Sequence, residues 1–264
     1  MQQLIAPTSE LIRTVGQFLG KELGKVNQTE IETKALNSLV SYVDKAAEQQ
    51  LVEGCSQILP EAGFITEEDT IIDSAEKEWR WIIDPLDGTT NFLHQLPFFS
   101  ISVALQHHQK TVMGFVYEVN QDELFYAWKG GGAWLNEKAI QVTPTLSMAD
   151  SLIATGFPYY DFDKTTAYLK MLEQVMKGTR GVRRLGSAAL DLAYTACGRF
   201  DAYFEYSLAP WDVAAGAFLV QEAGGIVTDF EGETDYIFGR SIMASNPHLA
   251  ERMLSLLKES GLDV

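Results

Sequence analysis

The sequence predicts a mixed α+β and α/β protein in two lobes, about 1–150 (α+β) and 151–264 (α/β), sharing one site between them. Three observations carry this expectation. Two helical patterns open the chain, residues 64–143 read largely as consecutive, antiparallel strands, and helices alternate with strands beyond residue 150.

Leu11, Ile12, Val15, Phe18, Leu19 and Leu23 recur at helical spacing. They predict an amphipathic helix over residues 10–24, capped by Thr8 or Ser9 and ended by Gly24. A second helix is predicted over 40–58, with Val43, Ala47, Leu51 and Ile58 on one stripe, before Pro60 and Gly63 break the chain. Phe64-Ile65-Thr66 is a short strand running into the acidic Glu67-Glu68-Asp69. The aromatic and β-branched residues Trp79–Ile83 predict a strand. It should stop at Asp84, because Pro85 has no ladder donor. Residues 99–106 and 111–119 form two more strands about the polar turn His107-His108-Gln109-Lys110. Leu124–Trp128 is another, followed by a flexible turn at Gly130-Gly131-Gly132. In the second lobe, strands at 152–155, 201–205, 226–228 and 242–244 alternate with helices at 163–177, 187–197, 211–223 and 247–259. Gly198 and Gly224-Gly225 end the second and third of these helices, and Pro247 starts the last.

The 264 residues carry 20 Lys and Arg against 36 Asp and Glu, and 20 − 36 gives a net charge of −16. That balance argues against nucleic-acid or anionic-membrane binding, since both partners are polyanions. A small anionic substrate is compatible only if bound cations reverse the local sign. At 46% hydrophobic residues the chain can bury a core without disulfides, so Cys55 and Cys197 read as buried free thiols of a cytoplasmic protein. The first residues lack a basic region and a cleavage site, and no uncharged apolar run of about 18 residues occurs, so neither a signal peptide nor a membrane span is expected.

The strongest chemical signal is residues 81–92, WIIDPLDGTTNF. Asp84 and Asp87 at a strand end, with the Leu86 carbonyl between them, offer the hard oxygen donors that Mg²⁺ favours. The backbone N–H groups of Gly88, Thr89 and Thr90, at a helix start, suit a phosphate beside the metal. The bland alternative is a turn with solvated acids. Asp212, in PWDVAAG, reads either as a helix-start carboxylate favoured by the macrodipole or as a third metal ligand from the far lobe. The small residues Ala214, Ala215 and Gly216 would let its helix approach closely. Glu67-Glu68 taken alone reads as a solvated loop, and Asp44 alone is weaker still. His94, His107, His108 and His248 show no metal spacing and read as surface or satisfied side chains.

WIIDPLDGTTNF and WDVAAGAFLVQEAGG, supported by GVRRLGSAAL and DAYFEYSLAPWD, resemble the two signatures of the inositol monophosphatase family. The likeness runs from about residue 10 to residue 259. It implies a layered αβαβα sandwich and a Mg²⁺-dependent, Li⁺-sensitive sugar or polyol phosphatase, commonly homodimeric. Two or three Mg²⁺ are implied, with Mn²⁺ a possible substitute. By the resemblance Glu67, Asp84, Asp87, Asp212 and the Leu86 carbonyl are metal ligands. Thr89 lies near the attacking water, and Asp44 hydrogen-bonds Thr89. Ser187 and Ala188 line the sugar pocket, and Glu205 accepts from substrate hydroxyls. Asp212 and the backbone of Gly88, Thr89 and Thr90 face the substrate. The chain has Thr66-Glu67-Glu68 where the family has Gly-Glu-Glu, and Ser38-Leu39-Val40-Ser41 where it has Asp-Leu-Val-Thr.

These residues imply direct in-line attack by a metal-activated water, with no Cys or His nucleophile in the motifs. One ion at Glu67 and Thr89 would acidify the water, and another at Asp84, Asp87 and Asp212 would neutralise the leaving alkoxide. The expected substrate is inositol 1-phosphate. Fructose 1,6-bisphosphate, histidinol phosphate and 3′(2′),5′-bisphosphate nucleotides are the alternatives. Thr90-Asn91-Phe92, where the nucleotidase branch has Lys-Glu-Phe, favours the inositol side. A non-enzymatic alternative is an interaction with transcription machinery, as in some bacterial relatives.

Overall fold

Five layers stack in the order helix, sheet, helix, sheet, helix. The computed structural model describes residues 1–35, 38–68, 77–158 and 162–262. Asp69, the third acid of the predicted cluster, lies outside them.

The first outer layer pairs α1 (Gln2–Glu22) with α2 (Tyr42–Ile58), separated in sequence by a small hairpin of β1 (Glu32–Ala35) and β2 (Ser38–Val40). The first sheet comprises β3 (Gly63–Thr66), β4 (Trp79–Asp87), β5 (Ser100–His107), β6 (Lys110–Glu118), β7 (Glu123–Trp128), β8 (Ala133–Leu135) and β9 (Lys138–Ile140), with α3 (Thr89–Leu93) between β4 and β5. Its seven strands lie in sequence order, as the short-strand pattern predicts. All neighbours are antiparallel except β3 and β4, which run parallel because the chain crosses over between them.

The second half contributes β10 (Leu152–Thr155), α4 (Thr165–Gly178), β11 (Gly181–Arg183), α5 (Ala188–Ala196), β12 (Ala202–Tyr206), α6 (Pro210–Glu222), β13 (Ile226–Thr228), β14 (Ser241–Ser245) and α7 (Ala250–Ser260). Its sheet has the order β11-β10-β12-β14-β13.

Side-chain alternation explains the stacking. Along β4, Trp81 and Ile83 face α1 and α2 and meet Ile12, Val15, Leu19, Val43, Ala47 and Leu51. Ile82 points the other way, toward α5 and α6. A strand covered on both faces has no polar side, which is why WII reads as an unbroken apolar run. For the same reason α5 and the middle of α6 have no solvated face: every residue from Ala188 to Ala196 and from Val213 to Val220 is buried between the two sheets, Asp191 and Thr195 being the polar members of α5. The far face of the second sheet packs Phe204 and Met243 against Tyr168, Met171 and Val175 of α4 and Met253 and Leu257 of α7.

The helix α6 comes close because its neighbours are small. A Cβ on Gly114 of β6 would fall 2.8 Å from the Ala215 carbonyl, and one on Gly216 would fall 2.5 Å from Leu192 Cβ of α5. The predicted role of Ala214, Ala215 and Gly216 holds in this packing.

Several expectations are corrected. α1 starts at Gln2 and runs through Pro7, so Thr8 is a buried helical residue and not a cap. The donor lost at Pro7 would have bonded Gln3, which is exposed and solvated. α2 begins at Tyr42 because Ser41 caps it and Val40 belongs to β2. β4 does not stop at Asp84. Its register shifts between Asp84 and Asp87, and this bulge absorbs the missing donor of Pro85 and carries pairing on to Asp87–Ser100. α7 starts at Ala250, after Pro247. Cys55 is buried, whereas Cys197 is only half-buried. Among the described residues no helix is long and apolar enough to cross a membrane.

Candidate active site

The bulge in β4 turns Asp84 and Asp87 toward the N-terminus of α6. Asp84 Oδ1 accepts from its own Leu86 N–H at 2.8 Å, a local bond that sets the bulge. Asp87 Oδ2 accepts from Ser187 Oγ and Ala189 N–H, both at 2.7 Å, at the start of α5. Asp212 Oδ2 accepts from Ala209 N–H at 2.7 Å, the reciprocal bond of a helix start. With one set of contacts thus held by backbone and Ser187, carboxylate oxygens of Asp84, Asp87 and Asp212 lie within 4.8 Å of one another.

Crowding these acids away from water raises their pKa values. Burial pushes Asp84 well up, and the neighbouring Glu67, Asp87 and Asp212 charges push further. Burial, then Asp87 and Glu67, raises Asp212 well above the ordinary range. Asp87 rises to about 6, because burial outweighs its bonds to Ser187 and to the Ala189 and Ala188 backbone. Such a cluster is a hard, oxygen-only donor set that repels itself unless a cation sits among its members, and it fits Mg²⁺ or Mn²⁺ better than a thiolate- or imidazole-seeking metal.

A cavity of about 300 Å³ opens beside the cluster. Glu67, Asp84, Leu86, Asp87, Gly88, Thr89, Thr90, Ser187, Ala188, Glu205 and Asp212 all line it. Glu67 acts on Asp84 and Asp212 by its charge but is not in the three-aspartate group. Gly88 caps α3 with φ 98°, a left-handed conformation that glycine adopts freely, and a Cβ there would meet the Phe98 carbonyl at 3.0 Å. Thr89 Oγ1 lies 3.0 Å from Asp44 Oδ1 and 3.0 Å from the Leu86 carbonyl, and its single proton can serve either.

Asp44 stands behind Thr89 and does not line the cavity. Its Oδ2 accepts from Ser41 N–H and Ser41 Oγ, both at 2.8 Å, closing the capping box of α2. Burial raises its pKa against these bonds. Ser41, kept where Ser38 replaces an acid, is therefore what orients Asp44.

Glu205 on β12 is buried, accepts from Tyr203 Oη at 2.5 Å, and is pushed up to about 7 by burial. It fits because Gly156 has no side chain: a Cβ there would fall 1.9 Å from Glu205 Oε2.

Four further residues escaped the sequence reading. Glu48 is buried one turn after Asp44 and accepts from Glu68 N–H at 2.7 Å, anchoring the loop that carries Glu67. Its spacing of four from Asp44 on α2 was the available signal. Asn91 donates to the Phe98 and Leu185 carbonyls at 2.6 and 2.9 Å, tying α3 to the second half. Among the described residues Arg184 is the one basic side chain lining the cavity, 5.5 Å above the Phe157 ring, and its charge opposes the rise of Asp87 and Glu205. Asp191 lines the cavity with a buried Oδ1 that has no hydrogen-bond partner among the described residues.

The sequence model of the inositol monophosphatase family matches residues 1–262. The chain belongs to the inositol monophosphatase family. Inositol-1-monophosphatase of Mesorhizobium japonicum is 38% identical over 244 residues, covering 92% of each chain. Nus factor SuhB of Vibrio cholerae is 41% identical over 249 residues, covering 94% of this chain and 93% of its own. The solved structure of the Thermotoga maritima IMPase superposes with a TM-score of 0.90 at 34% identity, covering 100% of this chain and 99% of that one. Membership brings a metal-dependent phosphatase scaffold, and the two names carried by close relatives differ in what they describe.

Proposed function

We propose that this chain hydrolyses the phosphate monoester of a small polyol or sugar, inositol 1-phosphate first among them, with Mg²⁺. The observation that carries this is the convergence of Asp84, Asp87 and Asp212, from two elements more than a hundred residues apart, within 4.8 Å beside a 300 Å³ cavity. In this reading Glu67, Asp84, Asp87, Asp212 and the Leu86 carbonyl hold two or three divalent cations, and both lobes serve the one site. When bound, the cations supply Lewis-acid charge neutralisation on phosphoryl oxygens and lower the pKa of water.

The chain's own groups do the positioning. Thr89 Oγ1, its proton directed to Asp44 Oδ1 or the Leu86 carbonyl, keeps lone pairs with which to accept from a water and orient it. The backbone of Gly88, Thr89 and Thr90 faces the phosphate. Ser187 and Ala188 shape the sugar side of the cavity, and Glu205 accepts from a ring hydroxyl. The acidic pocket then attracts a phosphate dianion only while cations fill it, which reconciles a net charge of −16 with an anionic substrate. Fructose 1,6-bisphosphate, histidinol phosphate and bisphosphate nucleotides are the competing substrates. A phosphate-release panel over these and inositol phosphates, with and without Mg²⁺, decides the matter. Mg²⁺-dependent release fastest from inositol 1-phosphate supports the proposal, and absence of release from every ester overturns it.

The name Nus factor SuhB on a 41%-identical relative favours one second reading, a partner of the transcription machinery. Co-purification of RNA polymerase with the Asp87→Asn variant, inactive as a phosphatase, would support it. Soluble, cytoplasmic, dimeric behaviour and Li⁺ inhibition are part of our proposal, checked by light scattering and by assays with Li⁺.

A further inference from the structure

Far from the acidic cavity, three potential ligands meet at the opposite end of β4. Glu78 immediately precedes that strand, while His107 ends β5 and His108 starts the turn into β6. Six residues of extended chain separate Glu78 from Asp84, about 20 Å. Both rings turn Nε2 to the same carboxylate oxygen, Glu78 Oε1, at 2.6 Å from His107 and 3.2 Å from His108. One donor atom from each residue lies within 4.8 Å of the others.

We propose that Glu78, His107 and His108 form a second metal site, selective for borderline transition-metal dications such as Zn²⁺, Ni²⁺ or Cu²⁺. Zn²⁺ takes imidazole nitrogen and carboxylate oxygen at about 2.0–2.2 Å in a tetrahedron, which places ligand atoms roughly 3.3 Å apart. The His108 contact to Glu78 Oε1, 3.2 Å, is close to that spacing, and the His107 contact, 2.6 Å, would lengthen by about 0.7 Å to reach it. Three protein donors leave one position for solvent or an exogenous ligand. Two imidazoles and one carboxylate are softer than the all-oxygen set at Asp84, Asp87 and Asp212, so the two sites sort metals by chemistry.

The scaffold holds the three ligands together. Trp79 pairs with His107 in the β4–β5 register, and His108 N–H donates to the Glu78 carbonyl at 2.8 Å. The His107 ring stacks on Trp79 with centroids 4.0 Å apart and planes at 21°, which limits its rotation. Side-chain exposures of 55, 34 and 68% for Glu78, His107 and His108 leave the site open to solution.

The test uses the full chain with saturating Mg²⁺, which keeps the acidic cavity filled. Zn²⁺ is titrated calorimetrically, and Cu²⁺ is followed by electron paramagnetic resonance. One equivalent of each should bind, and the Cu²⁺ spectrum should carry superhyperfine splitting from imidazole nitrogen. Binding should weaken on the order of a hundredfold in a double variant, His107→Phe with His108→Asn. Phenylalanine keeps the stack on Trp79, and asparagine tolerates the left-handed backbone at φ 48°. Glu78→Gln should weaken Zn²⁺ without removing the nitrogen splitting. Mg²⁺-dependent phosphate release should be unchanged in both variants, since none of the three residues lines the cavity. Unaltered affinity in the double variant, a Cu²⁺ spectrum without nitrogen coupling, or no Zn²⁺ binding at micromolar concentration would each overturn the proposal.

Discussion

Ser187 donates to Asp87 Oδ2 at 2.7 Å across 100 residues of chain, joining the end of β4 to the start of α5. The same oxygen accepts Ala189 N–H, so Oδ2 is occupied by protein and Oδ1 is the atom left to the cavity. Ser187 thereby caps α5 and aims a cavity carboxylate at once.

Asp87→Asn should keep the fold, because an amide oxygen can still accept from Ser187 and Ala189. It should lower Mg²⁺-dependent turnover on the order of 10²–10⁴-fold, since charge in the cluster is lost. Ser187→Ala, which loosens Asp87 without removing it, should cost about 10–100-fold. Steady-state phosphate release at saturating Mg²⁺ measures both, and near-wild-type turnover in Asp87→Asn would refute its place in the site.

Asp44 only accepts: from Ser41 N–H, Ser41 Oγ and Thr89 Oγ1. An amide nitrogen in its place would face donors. We expect Asp44→Asn to lower kcat about 10–100-fold with little change in KM, and to lose about 1 kcal/mol of stability with the α2 cap. Paired kinetics and urea melts read the two effects separately.

For Glu205→Ala the expected change is in selectivity. The ratio of inositol phosphate to fructose bisphosphate hydrolysis should shift, while p-nitrophenyl phosphate, which has no ring hydroxyls, is little affected. An unchanged ratio would show that Glu205 does not contact the sugar.

Stability should depend on pH in a direction set by burial. Asp87 and Glu205 have folded pKa values of about 6 and about 7, above their ordinary 3.8 and 4.5. The folded state therefore binds more protons between those limits, and stability is highest below the ordinary values and is lost as pH rises through 6 and 7. In chelator, melting temperature should fall from pH 5 to pH 8. Glu205→Gln should remove part of that fall, on the order of 3 kcal/mol for its buried charge. Added Mg²⁺ should raise the melting temperature most at the alkaline end, where the aspartates are ionised. A melting temperature that rises from pH 5 to pH 8 in chelator would contradict this linkage.

Gly114→Val places a side chain where a Cβ alone would sit 2.8 Å from the Ala215 carbonyl. Overpacking of this kind costs about 1–3 kcal/mol. Because α6 carries Asp212, activity should fall along with the urea midpoint. A normal midpoint and normal turnover would show that the close approach of β6 and α6 is dispensable.

Much of the fold was legible because burial on both faces writes itself into composition. The WII run of β4 and the mostly apolar α5 and α6 belong inside. Pro85 misled the strand boundary, since a proline ends a regular ladder but not one that bulges there. Pro7 and the short pairs β1–β2 and β8–β9 carry too little periodic signal to be placed. Asp84 and Asp87 announced themselves by their motif. Glu48 and Asn91 did not, because a single polar residue in an apolar context looks the same whether it caps, anchors or is solvated.

The sequence by itself determined the helix and strand pattern of the two halves and the acidic motifs, because periodicity, composition and local spacing are properties of neighbours along the chain, and the layered fold followed only through the family those motifs resemble. Only the tertiary structure decided that Asp212 meets Asp84 and Asp87, that Ser187 holds Asp87, and that His107 and His108 face Glu78. Those meetings depend on which strand pairs with which and how closely two helices pack, and they join residues that no local pattern connects.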